Sequence, residues 1–301
     1  MCLAAFAIHA SARWPLVIAS NRDEFVDRPA LPLARWQTAT GLSVMSGRDL
    51  RAGGTWLGAS PHGRIALLTN VRDVRDVREA SVPAAPRTRG ELVMTWLEGD
   101  MDAHHFMAQT VSSLYGGFNL VLGDLRSGLW TWLSNRSFDA KALTPDRPQA
   151  VGWCAQPLTP GVYGVSNAAL DTPWPKTVAL KKAVKEALES TDDASLETHL
   201  WTALANRQQA PDGDLPDTGL PVALEKALSS AFIEEPARGE QGYGTRCSTL
   251  LVASSVDRLL PGRWSVRIQE KTHAVGSTWR TPASIETFGG RFHFPVAPGC
   301  V

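Results

Sequence analysis

The chain opens with two strand-length apolar runs, LAAFAIHA (residues 3–10) and WPLVIAS (residues 14–20), joined by Ser11-Ala12-Arg13 alone. Runs this short with polar flanks fit buried strands rather than helices. A three-residue link joins antiparallel neighbours, because a parallel pair needs a crossover of about a dozen residues or more. The same kind of run recurs as LSVMS, GTWLGAS, GRIALLTN, GGFNLVLGDL, GLWTWLSNR and GVYGVSN, and then as GYGTRCSTLLVAS, WSVRIQEK and GRFHFPV towards the end. Between these groups stand five stretches with apolar residues at helical spacing: RGELVMTWLEG, DAHHFMAQTVSSL, PWPKTVALKKAVKEALE, ASLETHLWTALANR and VALEKALSSAF. In the third, Leu180, Val184 and Leu188 share one face, and Lys181, Lys182 and Lys185 the other. Strands and helices do not alternate regularly, and no shift in composition divides the chain. One α+β domain over residues 1–301 is expected, with largely antiparallel sheets covered by helices.

Charge and cysteine usage narrow the function classes. Thirty Lys and Arg balance thirty Asp and Glu, which speaks against nucleic acid or an anionic membrane as partner. Cys2, Cys154, Cys247 and Cys300 stand too far apart for a C-x-x-C pair, and the histidines show no H-E-x-x-H spacing, so no metal site is expected. The cysteines read as free thiols of a reducing compartment. Residues 1–20 lack a basic leader segment, Arg13 interrupts the apolar stretch, and no later run reaches the roughly 20 residues that span a bilayer. A cytoplasmic protein without a membrane span is expected. Residues 71–89, VRDVRDVREASVPAAPRTR, read as an excursion over the surface around a pocket mouth, with RDVRDVRE as a solvated face. The Gly pairs at 53–54 and 116–117 read as turns, His104-His105 as a solvated or packed pair, and Trp130 with Trp132 as core or pocket wall.

Three of the runs stop in the same manner: VIASNRDE, IALLTN and YGVSN. A fourth, TRCSTLLVAS, opens with Arg246. Side by side, these ends would gather Asn21, Arg22, Asp23, Asn70, Asn167 and Arg246 around Cys2, the first residue of the first strand. Removal of the initiator Met would leave a nucleophile and a base on one residue. A free α-amine has a pKa of about 7.7–8 and accepts a proton near neutrality, and a thiol needs little help to ionise. Arg22 or Arg246 would favour the thiolate. The Asn167 carboxamide, with a backbone N–H near Asn70, would hold an oxyanion. Structural readings stand beside these. Cys2 could be a small apolar residue of an edge strand. Asn21-Arg22-Asp23-Glu24 could be an Arg–carboxylate knot bracing a turn. Asn70 and Asn167 could cap strand ends, and Arg246 could be a buried structural residue.

Taken in order, MC, NRDE, GRIALLTNVRD, TRGEL, GGFNLVLGDL, SNR, YGVSN, LPDTG and YGTR resemble the NRDE family, the transport and Golgi organisation protein 2 family, from Cys2 to about Val252. The resemblance implies an N-terminal-nucleophile (Ntn) hydrolase fold: an αββα sandwich of two stacked antiparallel sheets between helix layers. It also invites comparison with the cysteine Ntn enzymes that cleave bile-salt and penicillin amides. Their nucleophile also follows the initiator Met. Their strand ends are similar to Thr69-Asn70 and Ser166-Asn167, and their late catalytic Arg to Arg246. Those enzymes carry R-N-x-D after the second strand. Aligned on Asn21 and Asp23, this chain has Ser20 in the Arg slot; aligned on Arg22, it has Phe25 in the Asp slot. The resemblance implies a cofactor-free hydrolase of a C–N amide bond in a small molecule, with Cys2, Arg22, Asp23, Asn70, Asn167 and Arg246 as its site. The alternative is a non-catalytic carrier of haem or of a lipid or acyl-CoA. Such a carrier would bind an apolar ligand in a Trp-lined cleft, with Cys2 or His9 available to a haem iron.

Overall fold

The computed structural model describes residues 2–72, 85–137, 149–234, 242–255, 264–273 and 284–290. Met1, most of the charged excursion, Cys300 and the GRFHFPV run beyond Gly290 lie outside the described residues.

The first two runs form a hairpin, β1 (Cys2–Ile8) with β2 (Leu16–Phe25), in a register that sets Cys2 opposite Arg22 and Ile8 opposite Leu16. The expected end of the second strand at Ser20 is corrected here: β2 runs on through Asn21-Arg22-Asp23-Glu24 to Phe25. The reason lies on both flanks. β1 pairs with β2 on one side, and β11 (Tyr243–Ser255) pairs with it on the other from Leu16 to Phe25. Neighbouring backbones thus satisfy the ladder through the charged stretch, and side-chain polarity does not end the strand.

Adding β10 (Gly161–Val165), β12 (Trp264–Thr272) and β13 (Ser284–Gly290) gives a first sheet in the order β10-β1-β2-β11-β12-β13. The second sheet runs β3 (Ala30–Gln37), β4 (Ser43–Asp49), β5 (Leu57–Ala59), β6 (Arg64–Asn70), β7 (Phe118–Asp124), β8 (Leu129–Ser137) and β9 (Gln149–Pro157), in chain order. The pairings between these strands are antiparallel throughout. β13 escapes the sequence reading, as do β3 and β9. The latter two are the edges of their sheet, and β3 leaves most of its residues exposed, so the apolar run that marks a central strand is missing. Pro32 is tolerated there because an edge need not donate.

The helices are α1 (Gly90–Glu98), α2 (Ala103–Gln109), α3 (Pro175–Ala187), α4 (Asp193–Leu204) and α5 (Val222–Ala227). α2 and α5 are shorter than their apolar spacing implies. Thr110 turns extended after α2, and Leu228 leaves helical geometry after α5.

Strand alternation then builds the layers. Ala4, Phe6, Ile8, Leu16, Ile18 and Leu251 of the first sheet meet Met45, Leu67, Val121, Trp130 and Trp132 of the second in one inner core. The opposite face of the first sheet, with Leu3, Ala5, Val17, Ala19 and Leu250, packs on Leu180 and Val184 of α3 and Leu196, Leu200 and Leu204 of α4. The outer face of the second sheet, with Ala66, Leu68, Leu120 and Leu133, packs on Leu92, Val93, Trp96 and Leu97 of α1 and on Phe106 of α2. The result is helix, sheet, sheet, helix: the αββα layering expected of an Ntn-hydrolase-like chain. No described helix is long and apolar enough to cross a membrane.

Candidate active site

Cys2 begins β1 in the interior of the first sheet, with β2 on one side and β10 on the other. It is buried, 8% exposed. β10 pairs Val165 with Ala4, so continuing that register by two residues sets Asn167 level with Cys2. The approach is close, because Ser166 Oγ donates to the Cys2 carbonyl at 2.9 Å. The side chains that β1 shares with the inner core (Ala4, Phe6, Ile8) alternate with those facing the helices. By the same alternation, Cys2 belongs with Arg22 on the inter-sheet side.

The strand ends Asn70 and Asn167 do converge. Asn167 Nδ2 donates to the Asn70 carbonyl at 2.8 Å, and Asn167 Oδ1 accepts from Ser166 Oγ at 3.2 Å. A lattice of buried side chains fixes this corner to the second sheet. Thr69 Oγ1 donates to the Ser166 carbonyl at 2.6 Å. Asn119 Nδ2 donates to Thr69 Oγ1 at 3.1 Å and to the Ala168 carbonyl at 2.8 Å, and Trp132 Nε1 donates to Asn119 Oδ1 at 3.2 Å. GGFNLVLGDL therefore contributes to the corner through Asn119, and Trp132 is core with one polar tie.

Asn21-Arg22-Asp23-Glu24 divides between the two faces of its strand. Asn21 faces the helix layer, donating from Nδ2 to the carbonyls of Leu204 and Ala231 at 2.8 Å each and accepting from Ser248 Oγ at 2.6 Å. Asp23 lies buried nearby and accepts from Thr245 Oγ1 at 2.7 Å. Arg22 faces the other way. Its guanidinium is 3.5 Å from Asp49 of the second sheet and 3.8 Å from Glu24, and lies 4.4 Å over the Trp56 ring. Arg28 joins the same carboxylates at 2.6 and 3.7 Å. The Arg–carboxylate knot thus exists, but it joins two sheets instead of bracing a turn. Arg246 occupies a β-bulge between Thr245 and Cys247. Its backbone lies two strands from Cys2, about 10 Å across the sheet, and its guanidinium is half-buried beside Arg22 and Glu24. The structure thus brings Cys2, Arg22, Asp23, Asn70 and Asn167 into one neighbourhood, with Arg246 on its rim. His9 is placed elsewhere: it follows Ile8 at the opposite end of β1, about 20 Å from Cys2 at the rise of a strand. Its expected place near the cleft is corrected accordingly.

Burial pushes the Cys2 thiol above its ordinary pKa, and the Asp23 carboxylate adds to that; the Arg22 guanidinium and the Asp23 backbone N–H, which donates to the sulfur, pull the other way. Burial also raises Asp23, against the Lys176 ammonium. Lys176 is a site residue that the sequence reading missed. It is 4% exposed in the first turn of α3, donates from Nζ to the Leu228 carbonyl at 2.9 Å, and is pushed down to about 8 by burial, against the pull of Asp23. The signal was present, since Lys176 precedes Leu180 and Val184 at four-residue spacing and so shares their buried face. Arg72, Glu225 and Thr245, all buried, and the half-buried Tyr243 complete the polar cluster. Arg72 is held to Glu225 and over Trp174, and Tyr243 Oη donates to the Asp23 carbonyl at 3.0 Å. Arg72 falls within GRIALLTNVRD, and Tyr243 and Thr245 within YGTR, but nothing local marks their burial, which depends on partners far along the chain. Among the described residues, the ligating atoms of Asp102, His104 and His105 lie within 4.8 Å of one another. They are exposed on the outer helix layer, where Asp102 caps α2.

Chemically, the neighbourhood offers a thiol at a strand start, a backbone N–H aimed at its sulfur, a carboxamide corner beside it, and buried charges of both signs behind it.

The sequence profile of the family described as Transport and Golgi organisation 2 matches residues 1–260. The chain is 33% identical over 276 residues to the Transport and Golgi organization protein 2 homolog of Bos taurus, covering 86% of this chain and 91% of the relative. It is 32% identical over 252 residues to the Transport and Golgi organization 2 homolog of Mus musculus, covering 80% and 82%. With the Transport and Golgi organization protein 2 of Drosophila melanogaster it shares 26% over 279 residues, covering 86% and 90%. Among solved structures, a Caenorhabditis elegans N-acylethanolamine-hydrolyzing acid amidase ortholog is similar at a TM-score of 0.46 and 10% identity, covering 83% of this chain and 92% of that one. A mutant conjugated bile acid hydrolase from Clostridium perfringens is similar at a TM-score of 0.46 and 7% identity, covering 99% of each.

Proposed function

The chain belongs to the Transport and Golgi organisation 2 family, and on that premise we propose that it is a cysteine hydrolase of a C–N amide bond in a small molecule, with Cys2 as nucleophile. One observation supports this reading above others. Cys2 sits at the start of a central strand, with the Asp23 N–H at its sulfur and the Asn70–Asn167 corner level with it. In the proposed reaction Met1 is first removed, and the freed α-amine takes the thiol proton. The thiolate forms a bond to the amide carbon, the carbonyl electrons move onto oxygen, and the Asn167 carboxamide with a backbone N–H at the corner receives that charge. The C–N bond then breaks, the amine leaves with the proton returned by the α-ammonium, and water cleaves the thioester to free acid and thiol. The thiol itself is buried, and burial favours its protonated form, so the base is needed.

The test is intact mass followed by labelling. Processed protein should lack Met1, and an acylating probe should add its mass to the Cys2 peptide. Cys2→Ala should stay folded, losing about 1 kcal/mol as a small truncation, and should no longer be labelled. Cys2→Ser should keep residual activity if the amine is the base. An amide substrate cleaved by Cys2→Ala at the wild-type rate would end the nucleophile reading.

A second reading is favoured by a different observation. A half-open cavity of about 630 Å³ lies between α3 and α4, walled by Ala179, Leu180, Ala183, Ala203 and Ala231, with Lys176 among its lining. That volume lies within the range of small-molecule sites, about 300–1,000 Å³, and would suit a carrier of an apolar ligand. Titration of Cys2→Ala with haem and with a long-chain acyl-CoA separates the two. The lining of this cavity includes neither Cys2 nor a Trp, unlike the Trp-lined cleft expected, so a carrier that uses it retains full affinity without the thiol, whereas failure to bind both ligands disfavours this reading.

A further inference from the structure

The LPDTG stretch, residues 215–219, lies far along the chain from the Asn70–Asn167 corner yet is joined to it by buried bonds. Thr218 Oγ1 donates to one carboxylate oxygen of Glu225 on α5, and the other oxygen accepts from the Arg72 guanidinium. All three side chains are buried. Arg72 stands two residues beyond Asn70, with its guanidinium 4.8 Å from the Trp174 ring centre. Its backbone N–H donates to the Asn167 carbonyl at 2.7 Å. The residue whose side-chain amide is level with Cys2 is therefore tied at its backbone to a residue clamped by an ion pair. Burial pushes the Arg72 guanidinium down, and the Glu225 carboxylate beside it opposes that.

We propose that Arg72 and Glu225, oriented by Thr218, are a positioning pair that holds the Asn70–Asn167 corner where its N–H groups receive the oxyanion formed at Cys2. The inference rests on the hydrolase reading above and adds to it the reason an LPDTG loop and α5 belong to the site. Three elements meet at one corner: the end of β6, the turn after β10, and α5. The corner is bound internally by Asn167 Nδ2 to the Asn70 carbonyl, so the pair sets the placement of the unit as a whole.

Two reagents that consume the same thiol test this. Attack on p-nitrophenyl acetate passes through a tetrahedral oxyanion, forms a thioester and expels p-nitrophenolate. Alkylation by iodoacetamide displaces iodide and forms no oxyanion. Modification at Cys2 is located by peptide mass in each case. Glu225→Gln should slow acylation of Cys2 tenfold or more while alkylation stays within twofold of wild type. Because Glu225→Gln removes the carboxylate held against a buried cation and could fail to fold, the double variant Arg72→Met/Glu225→Leu, which removes both charges at similar volume, should give the same split. Acylation unchanged in both variants, or the two reactions falling in proportion, overturns the proposal. Should wild-type Cys2 be alkylated but never acylated, the hydrolase reading falls. The positioning claim then stands or falls on hydrogen exchange: amides of residues 68–72 and 164–168 should exchange about tenfold faster in the double variant, with β7 unchanged. Equal exchange overturns it.

Discussion

At the scale of single residues, buried amides and charges carry much of the specificity of this fold. Asn21, Asn119 and Asn135 each spend their side chains on backbone groups of other segments. Asn135, from the SNR stretch, accepts from the Phe118 N–H at 3.0 Å and donates to the carbonyls of Ser112 and Tyr115 at 3.1 Å each. An Asn can satisfy donors and acceptors at once, which suits places where chain ends meet without a ladder. Lys176 is the costly member of the set. Its pKa falls from 10.5 to about 8 on folding. Between those values the unfolded chain holds a proton that the folded chain has released, so stability rises with pH across that window. Below about 8 the folded state bears a buried ammonium, a cost of about 3 kcal/mol relative to high pH. Lys176→Met should remove this dependence. Urea denaturation at pH 8 and 10.5 should show the stability advantage of the variant shrinking by about 3 kcal/mol between the two. Parallel pH profiles for the two proteins would show that Lys176 keeps an ordinary pKa.

At the scale of elements, close backbone approach decides where helices sit. α1 begins at Gly90, and Gly90 lies against Gly54: a Cβ on Gly54 would stand 2.5 Å from the Gly90 carbonyl carbon. No flexible side chain is there to yield. Gly54→Ala should push α1 off β5 and cost about 1–3 kcal/mol, read as a lowered denaturation midpoint. An unchanged midpoint would mean that the two backbones can separate freely. The Gly pair at 53–54, expected as a turn, is a turn at Gly53, with φ +77°, and a contact at Gly54. Arg64 closes the other end of α1. It donates to the Trp96 carbonyl at 3.1 Å and to the Met101 carbonyl, with its guanidinium 3.9 Å from the Trp96 ring centre. A cation there suits the partial negative charge at a helix C-terminus.

At the scale of the whole molecule, the two sheets meet through an apolar core that ends in a charged knot. Arg22 reaches from β2 to Asp49 at the end of β4, and stacks on Trp56. Arg22→Ala would leave Asp49 with the Arg28 guanidinium and the backbone N–H groups of Arg51 and Ala52, and Trp56 without its cover. The loss should be about 3 kcal/mol, the lower end for breaking a buried pair, measured by urea denaturation of folded protein. A wild-type midpoint would show that the core alone holds the sheets together. The same layering explains how a buried Cys2 comes to lie among polar groups. The inner core occupies the body of β1, and the thiol stands at the strand's first residue, where apolar packing gives way to the polar cluster of Asp23, Lys176 and Arg72.

The sequence by itself determined what depends on near neighbours along the chain. The three-residue link between the first apolar runs dictated an antiparallel hairpin, and with it Cys2 beside the end of the second run. Four-residue spacing located α3, and the ordered motifs pointed to the αββα layering. Tertiary structure alone decided the rest. β2 extends through its charged residues because β11, more than two hundred residues later, supplies a ladder. Once it is a strand, its period of two sends Asn21 and Asp23 to the helices and Arg22 to the opposite sheet. Lys176, Arg72 and Glu225 are buried because each finds a partner distant in sequence. A charge enters a low-dielectric interior only where such partners are assembled, and which partners meet is a property of the packed layers, not of any local stretch.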